Sequence, residues 1–303
     1  MYKLLKLNDF RQFKDMDISL GKRLTVLAGR NSTGKSTILG ILANSGELKK
    51  KDGTTYADGQ FRAEFSEIFH GSKKYDASGS DRIQIDIVDE NDDQIDYRKF
   101  RTAWQNDNGK DRFRVIPLKM LEDGKKTEAK MQIPVIYLGL SRLFPIGEAN
   151  EDKITTKKIK FIDDEQKQWF VEQYTQILSL YDTVTDVSNY SIGETDKKKG
   201  VGIETDKYDY LTNSSGQDNL GQILMAILSF KRLKKQREEW TGGLLLIDEI
   251  DATLHPAAQK RLIDLLTKEA KVNDIQVVVT THSSDLLKHI CNKTVHNNIC
   301  LLY

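Results

Sequence analysis

Within AGRNSTGKSTILG, residues 28–40, Gly29, Gly34, Lys35 and Ser36 fall at the spacing G-x-x-x-x-G-K-[ST]. Those types at those intervals suit the holding of phosphate. Glycine has no Cβ and lets backbone N–H groups come close to the oxygens, and a helix N-terminus adds its positive end. The lysine reaches the outer phosphates, and the hydroxyl suits a Mg²⁺ ion. Arg30, Asn31, Ser32, Thr33 and Thr37 complete the turn, so residues 29–37 together are the expected cradle for ATP.

Two acids stand far downstream. In GGLLLIDEIDATLHP the apolar run 244–247 ends in Asp248 and Glu249, the pattern called Walker B. An aspartate there would hold Mg²⁺ through water, and the adjoining glutamate would polarise the water that attacks the γ-phosphate. His282 follows another apolar run, 275–279, after Thr280 and Thr281. Ligands of parallel α/β sheets bind at that strand edge, which puts the histidine within reach of phosphates held by Lys35. Lys35, Glu249 and His282 are therefore the candidate catalytic groups, and Ser36 and Asp248 the candidate metal ligands. In SSGQ, Ser214, Gly216 and Gln217 open a helix-like stretch, either a second anion-binding helix start or a simple N-cap.

These groups need elements to bring them together. KRLTVLAG reads as a strand before the glycine turn, and Ile38, Leu39, Ile41 and Leu42 continue it as a helix. The runs 244–247 and 275–279 read as strands buried on both faces of a parallel sheet. Leu220, Ile223, Leu224, Ile227 and Leu228 give an amphipathic helix beginning near 214–217. Asp163 and Gln166 resemble a capping box, and Trp169, Phe170, Ile177, Leu178 and Tyr181 supply one apolar face to the helix that follows. Residues 46–130 are polar and glycine-dotted, and the alternation of Ile83, Ile85 and Ile87 suggests an antiparallel β lobe. DENDD, from Asp89, lacks an EF-hand spacing and reads as a solvated turn. VHNNICLLY reads as a final strand.

The chain has 303 residues, 38% of them hydrophobic, enough for one large domain or two small ones. Its net charge of +1 gives no global argument for nucleic acid, so a binding surface of that kind would be local. The basic runs are KRLKKQR, 231–237, on a helix, and DKKKG, with lysines at 197–199, in a loop; each is read first as a solvated face. Cys291 and Cys300 show neither a disulfide framework nor a zinc spacing, which points to a reducing compartment. No apolar run approaches the length of a membrane span.

The order of P-loop, Ser-Gly-Gln turn, Asp-Glu strand end and strand-end histidine resembles the ABC-type ATPases. LNDFRQFKDMDISLGKRLTVLAGRNSTGKSTIL, VIYLGLSRLFP and LLIDEIDATLHP narrow the likeness to AAA-family ATPases related to RecF, SMC heads and OLD-type (overcoming lysogenization defect) proteins. The resemblance implies an α/β P-loop NTPase fold of ABC-ATPase type. A mostly parallel core sheet is flanked by helices, with an antiparallel β lobe and a helical signature lobe. One ATPase head would span 1–303, with a β-rich elaboration at 46–130, the helical lobe at 146–236 and the Walker B and His282 core at 243–303. Related proteins often continue beyond this point, so a further C-terminal region is expected to be absent here or to belong to a separate polypeptide, the alternative being an ending on an edge strand.

The resemblance also implies a head-to-tail homodimer that sandwiches ATP and Mg²⁺. Each site would pair Lys35, Ser36, Asp248, Glu249 and His282 of one chain with Ser214 and Gly216 of the other. Ser215 stands where many such proteins carry a signature glycine, and His255 where transporter subunits carry a D-loop aspartate, which favours the OLD-like branch. No Q-loop glutamine follows VIYLGL, and Arg142 is the substitute candidate for nucleotide or coupling contacts, against an ordinary surface arginine. The lack of heptad repeats excludes a long SMC-type coiled-coil arm. The implied function is a cytoplasmic ATP-hydrolysing switch controlling a DNA-directed or anti-phage effector such as a nuclease or toxin. The alternative is a RecF-like ATP-dependent DNA clamp or scaffold; a membrane transporter subunit is a distant third.

Overall fold

The computed structural model describes residues 1–89, 91, 93–121, 123–193, 199–292 and 297–302. In chain order its elements are β1 (Tyr2–Leu7), β2 (Met16–Ser19), β3 (Leu24–Gly29), α1 (Lys35–Ala43), α2 (Phe65–Ile68), β4 (Gly79–Val88), β5 (Gln94–Asp107), β6 (Lys110–Met120), β7 (Lys126–Thr127) and β8 (Val135–Leu138). There follow β9 (Ile154–Lys158), α3 (Asp164–Leu178), β10 (Val184–Ile192), β11 (Lys199–Thr205), α4 (Ser215–Gln236), β12 (Gly243–Ile247), α5 (Pro256–Asn273), β13 (Ile275–Thr281), α6 (Ser284–Cys291) and β14 (Asn297–Leu302).

Five strands form an all-parallel sheet in the order β14-β3-β13-β12-β8. Alternate residues of a strand face opposite ways, and here both ways are buried. Val26, Leu245, Ile247, Val277 and Val279 pack into one core with α3, α4 and α5. Leu27, Leu244, Leu246 and Val278 pack into another with α1 and the antiparallel sheet. Two buried faces explain why these stretches read as unbroken apolar runs. Thr281 pairs with Ala28, and Val279 with Ile247. The C-terminal ends of β3, β13 and β12 therefore lie side by side.

The antiparallel sheet, β2-β1-β4-β5-β6-β7, draws on the N-terminal strands as well as on the 46–130 region. Ile83, Ile85 and Ile87 are buried in it, in keeping with their alternation. At the β4–β5 turn the Asp89 carboxylate accepts from the N–H groups of Asn91 (2.8 Å) and Asp93 (3.0 Å); Glu90 and Asp92 lie outside the described residues.

The segment 146–236, read from the sequence as a helical lobe, is built on α3 and α4 and also carries a three-stranded antiparallel sheet, β11-β10-β9. The buried residues of those strands, among them Val187, Tyr190, Val201 and Ile203, are scattered among polar residues and glycine, so no strong alternation announces them. Lys199, read as part of a loop, opens β11, while Lys197 and Lys198 lie outside the described residues. Asp163 caps α3 by accepting from the Gln166 N–H at 2.8 Å. The helix stops at Leu178, where Ser179 turns left-handed at φ 55° and redirects the chain. That turn corrects the expectation for Tyr181, which is 98% exposed; the helix is buried along Phe170, Tyr174 and Ile177.

Asp218, in the first turn of α4, is 3% exposed. Its carboxylate accepts from the Val201 N–H (2.6 Å) and from Gln222 Nε2 (3.0 Å), tying α4 to β11. Burial outweighs those bonds and pushes the carboxyl up from 3.8 to about 7. Between the unfolded and folded values the native chain binds the extra proton, so stability falls as pH rises through that window. Asp218→Asn removes the titration. In urea unfolding the wild type should lose up to roughly 3 kcal/mol relative to Asp218→Asn between about pH 5 and pH 8. Parallel pH profiles would show that Asp218 stays ionised throughout.

Candidate active site

β3 delivers the chain into the glycine turn, where Ser32 (φ 64°) and Gly34 (φ 89°) are left-handed. A Cβ at Gly34 would collide with the Gln12 amide and the Phe13 ring, so backbone conformation and space both demand glycine. Lys35, the first residue of α1, is 6% exposed. Its Nζ donates to the carbonyls of Gly29 (2.9 Å) and Arg30 (2.8 Å), which leaves one of the three ammonium donors for another acceptor. Thr33 Oγ1 also donates to the Arg30 carbonyl, at 2.9 Å. Burial lowers the Lys35 pKa from the ordinary lysine value, against the charges of Asp248, Glu249 and Asp251, which favour the cation.

The acid pair is fixed from the neighbouring strand. Thr280 Oγ1 donates to Asp248 Oδ1 (2.6 Å) and accepts from the Glu249 N–H (2.7 Å), while the Thr280 carbonyl accepts from the Ile250 N–H at 3.0 Å. Glu249 is held at φ 48°, a region that costs a non-glycine residue energy and persists only where surrounding contacts enforce it. Glu249 Oε1 stands 3.9 Å from His282 Nε2, and both side chains are about one third exposed. Asp251 continues the pattern, accepting from Thr281 Oγ1 (2.6 Å) and from the His282 N–H (3.3 Å).

Lys35, Ser36, Asp248, Glu249 and His282 line one cavity of about 410 Å³. Asn31, Ser32, Gly34 and Thr37 share it; Gly29, Arg30 and Thr33 stand outside its lining, two of them supplying the carbonyls that hold Lys35. Ser214, Gly216 and Gln217 do not join it. They line a separate cavity of about 390 Å³ with Thr253, His255 and Arg261. There Ser214 and Gln217 form a reciprocal capping box at the start of α4, so the N-cap reading of Ser214 holds whatever else the turn does. A Cβ on Gly216 would lie 2.5 Å from the Thr253 carbonyl, which is why glycine stands there.

Arg142 is neither a surface arginine nor part of the phosphate-type cavity. It is 3% exposed, and its guanidinium donates to Asn219 Oδ1 and to the carbonyls of Leu138, Gly139 and Glu249. Three contributors escaped the sequence reading: Gln12, which lines the cavity from the β1–β2 connection, and Thr280 and Asp251, which orient the acids and His282. Asp251 is visible as the third acid of DEID and Thr280 as a strand-end hydroxyl, but their pairing depends on the β12–β13 register. A buried cation, a hydroxyl and a carboxylate as hard oxygen donors, and a second carboxylate beside an imidazole suit hydrolysis of a phosphoanhydride.

Comparison with known proteins agrees with that chemistry. Residues 1–95 and 125–287 match the family model described as the AAA ATPase domain. A 60-residue stretch, 20% of this chain, is 45% identical to the Retron Ec83 probable ATPase of Escherichia coli and covers 10% of that protein. A 46-residue stretch, 15% of this chain, is 44% identical to an uncharacterized protein of Methanocaldococcus jannaschii and covers 40% of it. The matches thus span less than half the length of either curated relative. An SMC head solved with the C-winged helix domain of ScpA aligns over 95% of this chain and 91% of that one, with a TM-score of 0.50 and 19% identity. The SMC head domain from Thermotoga maritima aligns over the same shares, with a TM-score of 0.46 and 14% identity. At such identity the likeness is one of fold. The chain belongs to the AAA ATPase domain family and has an SMC-head-like α/β fold.

Proposed function

We propose that the chain is an ATP-driven switch, two copies of which close head to tail around ATP, and that closure and release govern an effector acting on DNA or in anti-phage defence. The observation that carries this reading is the separation of the two phosphate-type turns. Residues 29–37 and 214–217 open different cavities of one chain, so the second turn is poorly placed to cradle phosphates held by the first. A two-fold pairing would set each Ser214 turn over the Lys35 cavity of the second copy.

In that arrangement Lys35 faces the β- and γ-phosphates. Ser36 and Asp248 are the hard oxygen donors for Mg²⁺, a set that leaves positions for phosphate oxygens. An ion held there would supply positive charge against the bound phosphates. Glu249 orients the attacking water and takes its proton, with His282 beside it as a sensor of the γ-phosphate. Ser214, Gly216 and Gln217 of the second copy close the far side with the positive end of α4. Hydrolysis removes the bridging phosphate and shifts the pair towards release.

The basic run 231–237 bears on the partner. Lys231 pairs with Glu269, Lys234 with Asp274, and Lys235 with Asp163 and Glu165, while Arg232 lies over the Tyr56 ring. Internal pairing of the three lysines reduces the charge that run offers a phosphate backbone, which favours a protein effector, a nuclease or toxin as the OLD-like resemblance implies, over a RecF-like clamp. Among the described residues no helix is long and apolar enough to cross a membrane, and the proposed setting is the cytoplasm. Affinity capture of the native protein separates the readings: a nuclease or toxin partner supports the effector, and DNA alone supports the clamp.

Lys35→Ala should weaken ATP binding by about 10- to 100-fold, the worth of a charged hydrogen bond; equal calorimetric affinity in a folded variant would remove Lys35 from the phosphate site. Glu249→Gln keeps size but not charge. Phosphate release should fall by roughly 10² to 10⁴, while Asp248 still serves the metal, so a closed pair should accumulate on sizing in ATP and Mg²⁺. Wild-type turnover in Glu249→Gln would pass the role of base to another group, His282 first. Ser214→Arg should leave ATP binding to the single chain intact and abolish ATP-driven pairing in light scattering. An unchanged dimer fraction would reduce the 214–217 turn to a helix cap.

A further inference from the structure

We propose that Arg142 is a positioning residue for Glu249, acting with Asn219 as one strut between the acid-pair loop and α4; this rests on the reading of Glu249 as the group that orients the attacking water. Arg142 Nη2 donates to the Glu249 carbonyl at 3.0 Å, Nη1 to the carbonyls of Leu138 (3.1 Å) and Gly139 (3.0 Å), and Nε to Asn219 Oδ1 at 2.8 Å. A guanidinium is a rigid planar fork. It therefore fixes the end of β8, the second turn of α4 and residue 249 relative to one another.

Asn219 is fully buried, and its other end grips the same loop. Nδ2 donates to the Ala252 carbonyl (3.0 Å) and to Thr253 Oγ1 (3.3 Å). The pair thus holds the loop at residues 249, 252 and 253, two of which, Glu249 (φ 48°) and Thr253 (φ 62°), are left-handed without being glycine. Such residues stay put only when contacts over-determine them. Thr280 fixes the N–H of Glu249 and Arg142 fixes its carbonyl, so both peptide planes flanking the side chain are set. Burial lowers the Arg142 pKa to about 10, which leaves a cation at neutral pH. A buried cation with few partners would be costly, and the acceptors arrayed around this one are what keep it in place.

The loop has a second attachment. Its far end, Thr253 to His255, lines the cavity of the Ser214 turn, while its near end, Glu249, lines the cavity of Lys35. Arg142 and Asn219 stand between, so the strut is where movement at one cavity would reach the carboxylate in the other.

Arg142→Lys keeps a cation but not the fork, and Asn219→Ala reads the same strut from its other end should the lysine variant fail to fold. Each should lower kcat by about 10- to 100-fold, the cost of misplacing a reacting group by about an ångström, with the Kd for ATP unchanged. The double variant should be no slower than the slower single, because both act through one loop. In a Glu249→Gln background Arg142→Lys should change the residual rate little. Wild-type kcat in the single variants, additive losses in the double, or ATP affinity falling in step with kcat would overturn the proposal. Wild-type turnover in Glu249→Gln alone would instead overturn the role given to Glu249, and so tells the two failures apart.

Discussion

The parallel register of β3, β13 and β12 is the constraint on which the rest of the molecule depends. It aligns Ala28 with Thr281 and Val279 with Ile247, so a glycine turn, a histidine and an acid pair separated by more than two hundred residues leave the sheet at one edge. Parallel strands need crossovers, and the crossovers bury both faces of the sheet. That burial in turn fixes which side chains alternate into the α3–α5 core and which into the α1 core.

Convergence at that edge sets up an electrostatic arrangement that no single segment contains. Lys35 is buried, which disfavours its charge, and the carboxylates of Asp248, Glu249 and Asp251 oppose that effect. Two of these carboxylates are kept in place by hydroxyls: Thr280 serves Asp248, and Thr281 serves Asp251. A neutral donor orients an acid without cancelling its charge, which keeps the carboxylate available to a cation or a water.

The segment 248–255 joins the two cavities in only a few residues. It is held in a left-handed conformation at two positions and gripped from β13, from Arg142 and from α4. A short strained loop with contacts at both ends has little slack. The geometry of the acid pair is therefore linked to the packing of α4 and, through Asp218 and Val201, to the β10–β11 hairpin.

The sequence alone determined whatever depends on neighbours along the chain. The glycine turn is legible because Gly34 must be left-handed and the residues after it favour a helix. The Asp163 and Ser214 caps are legible because a side chain three residues away satisfies the helix N-terminus. The strands at 244–247 and 275–279 are legible because burial on two faces forces apolar runs. Only the tertiary structure decided the rest. It set Thr280 against Asp248, brought Gln12 to the wall of the Lys35 cavity, buried Arg142 among carbonyls, and placed the Ser214 turn in a cavity of its own. Each of those depends on strand register or helix docking between distant segments, and a hydrogen bond to a carbonyl leaves almost no mark on residue type. Tyr181 illustrates the limit from the other direction: helical spacing placed it on an apolar face, and the left-handed turn at Ser179 put it in water.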